Sequence, residues 1–475
     1  MSVSLAGAEL DAAVRDLAER FRAALEPPAQ AGVTLDRATL AGRFDEPLPE
    51  RGLPLEAVLG ELEARSRGGL AGATGGRYFG YVTGGALPAA AIVEAWTAAV
   101  DQNVGMWPLG PAAVELEQVT LRWLAELLDF PAASGYFGTG ATMANTIALA
   151  VARHWFGKRH GVNVIEQGVR ALPELAVYGS EELHLSDHKA LRTLGLGSGC
   201  VRRIPIDERY RMDVAALARA IEEDRAAGVE PAIVIAQAGS VNTGASDPLE
   251  EIAEVCAAQE AWLHVDGAFG AFFRLWEPAA GLVRGLERAD SLAVDAHKWL
   301  NVPNGVGFVL LRDAQLHREA FAGSAAYLTP GAGENLHELG IEASRGWRGA
   351  CVWAVLKQLG WEGVAGLVSR CCELAQELAA IAEADLALEL TAPAPTNVVC
   401  FRYRPSGWAD GAELDELNRR IQAAVAGAGE LFHTGAQLRN GFCQRAAIVS
   451  WRTTSDDVRA LADAVREAGA TLSVR

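Results

Sequence analysis

The sequence predicts an α/β fold: a mostly parallel, doubly wound, seven-stranded sheet with helices on both faces, followed by a smaller α+β part. Two observations predict it. Short apolar strands alternate with helical patterns such as 143–156, 213–227 and 248–259, and a chain of 475 residues exceeds one compact core. The predicted strands are 135–139, 175–179, 201–206, 232–236, 261–265, 291–294 and 306–311.

The chain divides into three predicted parts. Residues 1–75 form a helical arm, because 8–26 carry an amphipathic pattern and a second helical pattern follows Pro54. Residues 76–345 form the large α/β domain. Residues 346–475 form an α+β domain, helical to about residue 385 and then continuing as strand 397–403, helix 412–427, strand 446–450 and helix 455–467.

The composition argues against several classes of function. The net charge of −18 leaves no basic patch for nucleic-acid phosphates or an anionic membrane surface. The seven cysteines are scattered without metal-ligand spacing, so we expect free thiols, no metal site and a reducing, cytoplasmic location. The first residues lack a basic stretch followed by an apolar one, so no signal peptide is expected.

Two side chains at predicted strand ends indicate the chemistry. Lys298, one of four lysines, lies at the end of an apolar run, and Asp266 closes another. Pyridoxal phosphate (PLP) needs such a pair, because an amine forms a Schiff base with its aldehyde and a carboxylate keeps its pyridine nitrogen protonated. Arginine, the usual basic residue of this chain, does not form this imine, which favours a catalytic role for Lys298 over a solvated one.

Further candidate cofactor contacts lie near the same strand ends. The turn before helix 143–156 is rich in small residues, so Ala141 and Thr142 are candidate phosphate contacts, although a tight turn without a ligand explains the pattern equally well. His184 follows a strand and is a candidate for stacking on the pyridine ring, against the alternative of a loop histidine without function. A metal site with His188 lacks further ligands. The remaining candidates are Ser240, Ala268 and His297.

These segments, in this order, resemble the group II PLP-dependent decarboxylases, the family of aromatic amino acid, glutamate, histidine and diaminobutyrate decarboxylases. The most specific match is the motif from Asp295 to Pro303, which contains His297-Lys298-Trp299. His264-Val-Asp266-Gly-Ala268 is the second, and segments 78–85, 111–117 and 344–345 also fit.

The resemblance implies an aspartate-aminotransferase-type fold (PLP fold type I) in a homodimer whose active sites lie at the interface. It makes Lys298 the Schiff-base lysine, Asp266 the pyridine partner and His184 the stacking residue. It also places Ala141, Thr142 and His297 near the phosphate and Arg345 at the active-site rim. The implied reaction is decarboxylation: loss of carbon dioxide leaves a carbanion delocalised into the pyridine ring, and protonation at Cα gives an amine.

The loop ahead of the Ser-Arg motif departs from the family pattern. The family often carries there a tyrosine that protonates Cα, whereas residues 331–340 contain none, so His337 is the candidate acid; Tyr327 matches a different position. The motif itself reads Ser344-Arg345-Gly346, and the Gly-Thr-Thr turn reads 239–241 Gly-Ser-Val. In this family, loss of the tyrosine is compatible with oxidative deamination to an aldehyde, and the glycine-rich segment 323–340 indicates a mobile lid.

The segments that resemble the family's substrate pocket contribute Tyr81, Val104 and Met106, with Arg345 at the rim. The first three carry no charge, which favours an apolar or aromatic amino acid mildly. Three functions remain open: an amino acid decarboxylase, a PLP enzyme with another outcome (aldehyde synthase, lyase or transaminase), and a non-catalytic relative. The presence of Lys298 argues against the last.

Overall fold

The main sheet has the predicted α/β architecture. The computed structural model describes residues 7–323 and 334–474 and orders the seven strands β1-β7-β6-β5-β4-β2-β3. Strand β7 runs antiparallel to both neighbours, and the other six strands are parallel, which confirms the predicted fold class. The strands are β1 (Ser134–Gly138), β2 (Leu175–Ser180), β3 (Val201–Ile204), β4 (Glu230–Gln237), β5 (Trp262–Asp266), β6 (Ser291–Asp295) and β7 (Gly307–Leu311).

Apolar clusters cover both faces of this sheet. In β4, Ile233 and Ile235 belong to one buried cluster, whereas Val234 and Ala236 belong to another. Successive side chains of a strand point to opposite faces, so a strand buried on both sides reads as a continuous apolar run. Because of this burial, the strands could be predicted from apolar runs in the sequence.

Helices surround the sheet and continue into the C-terminal part. The longest, α14, has a non-helical backbone at Gly360 that kinks it. The α-helices are α1 (Gly7–Ala24), α2 (Arg37–Phe44), α3 (Leu55–Ser66), α4 (Pro88–Val100), α5 (Pro111–Leu127), α6 (Ala141–Arg159), α7 (Val164–Gln167), α8 (Leu185–Thr193), α9 (Val214–Ala226), α10 (Leu249–Gln259), α11 (Glu277–Ala280), α12 (Ala296–Trp299), α13 (Ala314–Phe321), α14 (Gly349–Ala384), α15 (Ala412–Ala428) and α16 (Ser455–Ser473).

The C-terminal part contains a four-stranded antiparallel sheet in the order β10-β11-β9-β8. Its strands are β8 (Leu388–Leu390), β9 (Val398–Tyr403), β10 (Thr434–Leu438) and β11 (Gly441–Ala447). The sequence predicted β9, missed β8 and β10, and placed the fourth strand at 446–450, too late by several residues.

The N-terminal arm contains the two predicted helices, α1 and α3, and the unpredicted α2. The apolar stripe of α1 is uncovered in this chain: Leu10, Val14 and Leu17 are 48%, 56% and 52% exposed. The division at residues 75 and 345 stays a prediction. Residues 324–333 of the predicted lid, which include Tyr327, lie outside the described residues. Within the described part of the chain, no helix is long and apolar enough to cross a bilayer.

Candidate active site

A cavity of about 220 Å³ lies where the carboxyl ends of β5 and β6 meet the N-terminus of α6. Parallel strands end at the same edge of the sheet, which is where ligands bind in this class of fold. Six of the predicted site residues line the cavity together. The lining residues are Thr139, Gly140, Ala141, Thr142, Met143, His184, Ser186, Ala268, Asp295, His297 and Lys298.

Lys298 reaches the cavity from α12, the short helix that follows β6. Its Nζ lies 2.9 Å from Oδ2 of Asp295, and both side chains are largely buried. The other oxygen of Asp295 accepts the Ala141 N–H at 2.5 Å. Asp295 therefore joins the amine to the N-terminus of α6. The Nδ1 atom of His297 lies 2.9 Å from the Val306 carbonyl oxygen, which fixes that ring beside them.

Asp266 ends β5, is 4% exposed as a residue and lies just outside the cavity lining, with its carboxylate held by donors. The Ala268 N–H donates to Oδ1 at 3.0 Å, and Nδ2 of Asn145 donates to Oδ2 at 3.1 Å. The Ser186 hydroxyl lies 3.5 Å from Oδ2. Donors of this kind stabilise the ionised form, which is the form that a cationic ring nitrogen requires.

A directed chain of buried hydrogen bonds orients the amide of Asn145. Trp262 Nε1 donates to the Ser291 hydroxyl at 2.9 Å, and that hydroxyl lies 2.9 Å from Nδ1 of His264. Burial lowers the pKa of His264 to about 4, so the ring is neutral. Because Asn145 donates its Nδ2 to Asp266, its Oδ1 accepts, so the proton of the neutral His264 ring sits on Nε2, 3.0 Å from that oxygen, and Nδ1 accepts from Ser291. The Asn145 amino group is then directed at Asp266.

His184 precedes α8 and lines the cavity. Its Nδ1 accepts the Ser186 N–H at 3.2 Å and lies 2.7 Å from the Ser186 hydroxyl. Burial lowers the pKa of His184, against the opposing effect of Asp266. The ring is therefore neutral near pH 7 and held at one edge, which suits a stacking role.

Several predicted site residues lie away from the cavity lining. Ser240 is buried with its hydroxyl 3.4 Å from Glu182, and Tyr81 is 63% exposed. Val104, Met106 and His337 also lie outside that lining but close to each other, because both the backbone N–H and Nδ1 of His337 contact the Gly105 carbonyl oxygen, at 2.8 and 3.1 Å.

Arg345 has a different partner from the substrate contact that the resemblance implied. Its guanidinium forms a bidentate pair with Glu117, at 2.6 and 3.1 Å, and the two side chains are 1% and 0% exposed. The guanidinium also lies over the ring of Tyr136, 4.5 Å from its centroid. In this structure Arg345 joins α5 to the segment that precedes α14.

Sequence reasoning missed three polar residues that organise the site: Asn145, Ser186 and Asp295. A signal existed for Asp295, which stands three residues before Lys298, the spacing at which helical side chains are neighbours. Ser186 stands two residues after His184, and its backbone N–H donates to the His184 ring at Nδ1. Asn145 gave no signal, because two of its partners, Asp266 and His264, lie more than a hundred residues away in sequence.

The same residues fit PLP. The cavity contains an amine, the N-terminus of a long helix for an anionic phosphate, and a neutral imidazole. Gly140, at φ 144°, takes a conformation that side chains rarely adopt. Asp266 supplies the buried carboxylate. These features define a PLP-dependent enzyme of the α/β class.

Comparisons with known proteins agree with this class. Residues 39–404 match the model of the pyridoxal-dependent decarboxylase conserved domain, so the chain belongs to this family. It is 32% identical to an aromatic-L-amino-acid decarboxylase from Bacillus atrophaeus (90% of this chain, 88% of the relative) and 25% identical to a 4-hydroxyphenylacetaldehyde synthase from Rhodiola rosea (86% and 84%). The protein is a PLP-dependent carboxy-lyase that decarboxylates an amino acid.

The fold also matches solved structures. The structure of Oryza sativa TDC with PLP and tryptamine superposes with a TM-score of 0.89 at 24% identity, covering 98% of this chain and 97% of that chain. The architecture is therefore the aspartate-aminotransferase type (PLP fold type I), as the resemblance implied.

Proposed function

We propose that the protein converts an apolar or aromatic L-amino acid to its amine and carbon dioxide, with Lys298 as the Schiff-base lysine and Asp266 as the partner of the pyridine nitrogen. The observation that carries the proposal is the cavity shared by Lys298, His184 and the N-terminus of α6. When bound, PLP supplies an electron sink for the carbanion left by decarboxylation.

The roles of the other residues follow from their positions. Ala141, Thr142 and His297 line the end of the cavity at the N-terminus of α6 and would hold the phosphate. His184 would cover one face of the ring, and Ala268, with its small side chain, leaves room for the other. Ser240 stays a prediction as a cofactor contact, because its hydroxyl faces Glu182 here.

The substrate preference rests on the chemistry of the predicted pocket. Tyr81, Val104 and Met106 carry no charge, and Arg345, the basic residue near them, is neutralised by Glu117. A substrate side chain with a carboxylate or an amine would have no partner of opposite charge among these residues. The similarity to an aromatic-L-amino-acid decarboxylase supports the same preference.

We propose that the active protein is a homodimer in which each cavity is completed by the second copy. The uncovered apolar stripe of α1 supports this, since Leu10, Val14 and Leu17 recur on one helical face. A second observation supports the dimer: the cavity lining does not include Val104, Met106 or His337 of the same chain. In a dimer, the second copy would supply these substrate contacts. Light scattering measures the assembly directly; a monomeric, fully active protein would contradict this part.

His337 is the proposed acid that protonates Cα. Its Nδ1 contacts the Gly105 carbonyl oxygen, and its Nε2 is buried without a hydrogen-bond partner among the described residues. No tyrosine occurs in residues 334–340. This composition favours one second candidate, an aldehyde synthase that consumes oxygen and releases aldehyde, carbon dioxide, ammonia and peroxide.

One experiment separates the candidates. The purified holoprotein is incubated with tryptophan, tyrosine, phenylalanine, glutamate and 2,4-diaminobutyrate, and products are identified by mass spectrometry with parallel peroxide detection. Amine without peroxide from an aromatic substrate is the expected result. Aldehyde with peroxide would favour the second candidate, and turnover of only the charged substrates would refute the preference.

Two substitutions test the residue roles. Lys298→Ala should abolish the visible absorbance of the bound cofactor, whereas Lys357→Ala, on α14, should retain it. His337→Gln should slow turnover far more than it weakens cofactor binding. Retained visible absorbance in Lys298→Ala, or wild-type turnover in His337→Gln, would remove that residue from its role.

A further inference from the structure

Asp187 is a buried acid that the proposed mechanism does not use. It lies in the first turn of α8, three residues after His184, and is 0% exposed. Among the described residues, neither of its carboxylate oxygens has a donor in normal hydrogen-bond geometry. A buried carboxylate without donors costs far more than one at a solvated helix end, so the residue needs a physical explanation.

The group that faces Asp187 is another acid. The first turn of α8 lies against the Asp266 carboxylate, because the hydroxyl of Ser186, the residue before Asp187, lies 3.5 Å from its Oδ2. Two ionised carboxylates have no hydrogen to share, and they repel each other in a buried site. Such a contact is favourable only if one of the two acids is protonated and donates its O–H to the other.

The donors around the pair decide which acid keeps the proton. Asp266 receives the Ala268 N–H and the Asn145 amino group, both of which stabilise its ionised form. The Ser186 hydroxyl has one hydrogen and lies closer to His184 Nδ1, at 2.7 Å, than to Asp266, at 3.5 Å. Burial raises the pKa of Asp187 well above its usual range, and the neighbouring charge of Asp266 raises it further.

We propose that Asp187 is a positioning residue: a neutral carboxylic acid whose O–H donates to the Asp266 carboxylate and keeps it ionised and fixed in orientation. This inference rests on the proposed role of Asp266 toward the pyridine nitrogen. Asp187 acts through Asp266 and lies outside the lining of the cavity. The arrangement gives Asp266 a third buried donor besides Ala268 and Asn145.

The titratable groups around the pair do not replace this donor. His184, on the same side of the cavity, is neutral and directs Nδ1 at Ser186. His264, on β5, is neutral and directs its proton at Asn145. Lys298 is paired with Asp295 at 2.9 Å, and α6 contributes only the amide of Asn145.

The first test is the infrared spectrum of the full-length protein near pH 8. A neutral carboxylic acid absorbs apart from carboxylates, so the wild-type protein should show a band that disappears in both Asp187→Asn and Asp187→Leu. Absence of that band from the wild-type difference spectra would show that Asp187 is ionised and would overturn the proposal. The readout requires no catalytic activity.

The second test is the pH dependence of the PLP dissociation constant. Leucine removes the donor and leaves the shape of the side chain similar, so the Asp266 carboxylate should lose one of the contacts that stabilise its charge. The loss of cofactor affinity at acidic pH should then begin about one pH unit higher in Asp187→Leu. Asp187→Asn keeps an N–H donor and should stay near the wild-type profile.

The sign of this shift separates the alternatives. If Asp187 were ionised, removing its charge would move the loss of PLP affinity at acidic pH to lower pH in both variants. A purely structural role would lower stability without moving this loss. Either result overturns the inference. Asp290→Asn, a half-buried acid at the opposite end of β5, is the control and should leave the pH profile in place. An unchanged profile in Asp266→Asn would instead overturn the proposed role of Asp266.

Discussion

The buried pair of Glu117 and Arg345 permits a test of whether Arg345 binds substrate or stabilises the fold. Replacing Arg345 with Met removes one partner and leaves the Glu117 carboxylate with the N–H of Gly349, the first residue of α14, at 2.9 Å. Breaking a fully buried pair in this way costs about 3–5 kcal/mol, because the remaining charge keeps its desolvation penalty.

The expected change in melting temperature follows from chain length. Unfolding entropy of about 2.1 cal/mol/K per residue over 475 residues gives about 1 kcal/mol/K. Arg345→Met should therefore lower the melting temperature by about 3–5 °C, measured by calorimetry at fixed protein and cofactor concentration. The KM for the substrate should change little, since the guanidinium is occupied by Glu117.

A double-mutant cycle tests the reasoning. Glu117→Leu alone should destabilise about as much as Arg345→Met, and the double variant should recover most of the loss, because both charges are then gone. Additive losses would refute the assignment of the energy to this pair. A large rise in KM with an unchanged melting temperature would return Arg345 to the substrate pocket.

Three further predictions concern the hydrogen bonds of Asn145, the close contact between Gly307 and Gly140, and stability at acidic pH. Asn145→Leu removes a donor to the Asp266 carboxylate, so the PLP dissociation constant measured by equilibrium dialysis should rise roughly 10- to 100-fold; an unchanged constant would contradict the network. Gly307→Ala places a Cβ 2.6 Å from the Gly140 backbone and should lower both cofactor retention and melting temperature, whereas Gly366→Ala, with nothing within 4 Å, should do neither. Burial lowers the pKa of His433 from 6.5 to about 4, so the unfolded chain takes up this proton first and stability falls with acidification between these values. In His433→Gln the slope of unfolding free energy against pH should decrease by about 1.4 kcal/mol per pH unit, and an equal slope would contradict the assignment.

The sequence predicted the main sheet well because its strands are buried on both faces and read as continuous apolar runs. Parallel strands share one carboxyl edge, so the positions of Asp266 and Lys298 at strand ends predicted that both lie at the same edge of the sheet. The C-terminal sheet was predicted less well. Strand β8 has three residues, and β10 reads Thr-Gly-Ala-Gln-Leu, which carries little of the apolar pattern that marks a buried strand.

The polar network behind the site was beyond sequence reasoning, because its order depends on contacts between distant segments. Asn145 lies on a helix whose pattern predicts only burial, and its partners come from β5 and α8. The role of Arg345 at the active-site rim stays a prediction, and its partner could not be found from the sequence for the same reason. A basic residue in a motif near the site was expected to face substrate, and only the fold shows Glu117 of α5 within 2.6 Å of its guanidinium.

Asp187 shows how position in a fold changes the meaning of an ordinary residue. An acid in the first turn of a helix is common, because it faces the positive end of the helix dipole and usually reaches solvent. The first turn of α8, however, lies against the end of β5, where the Ser186 hydroxyl is 3.5 Å from Asp266, so this acid is fully buried near Asp266. Helix preference alone explains an acid at this position, but it does not explain an acid held without solvent next to a second one. Because that cost is avoided only when Asp187 keeps its proton, the protonation state of one residue outside the cavity becomes a property of the cofactor site itself.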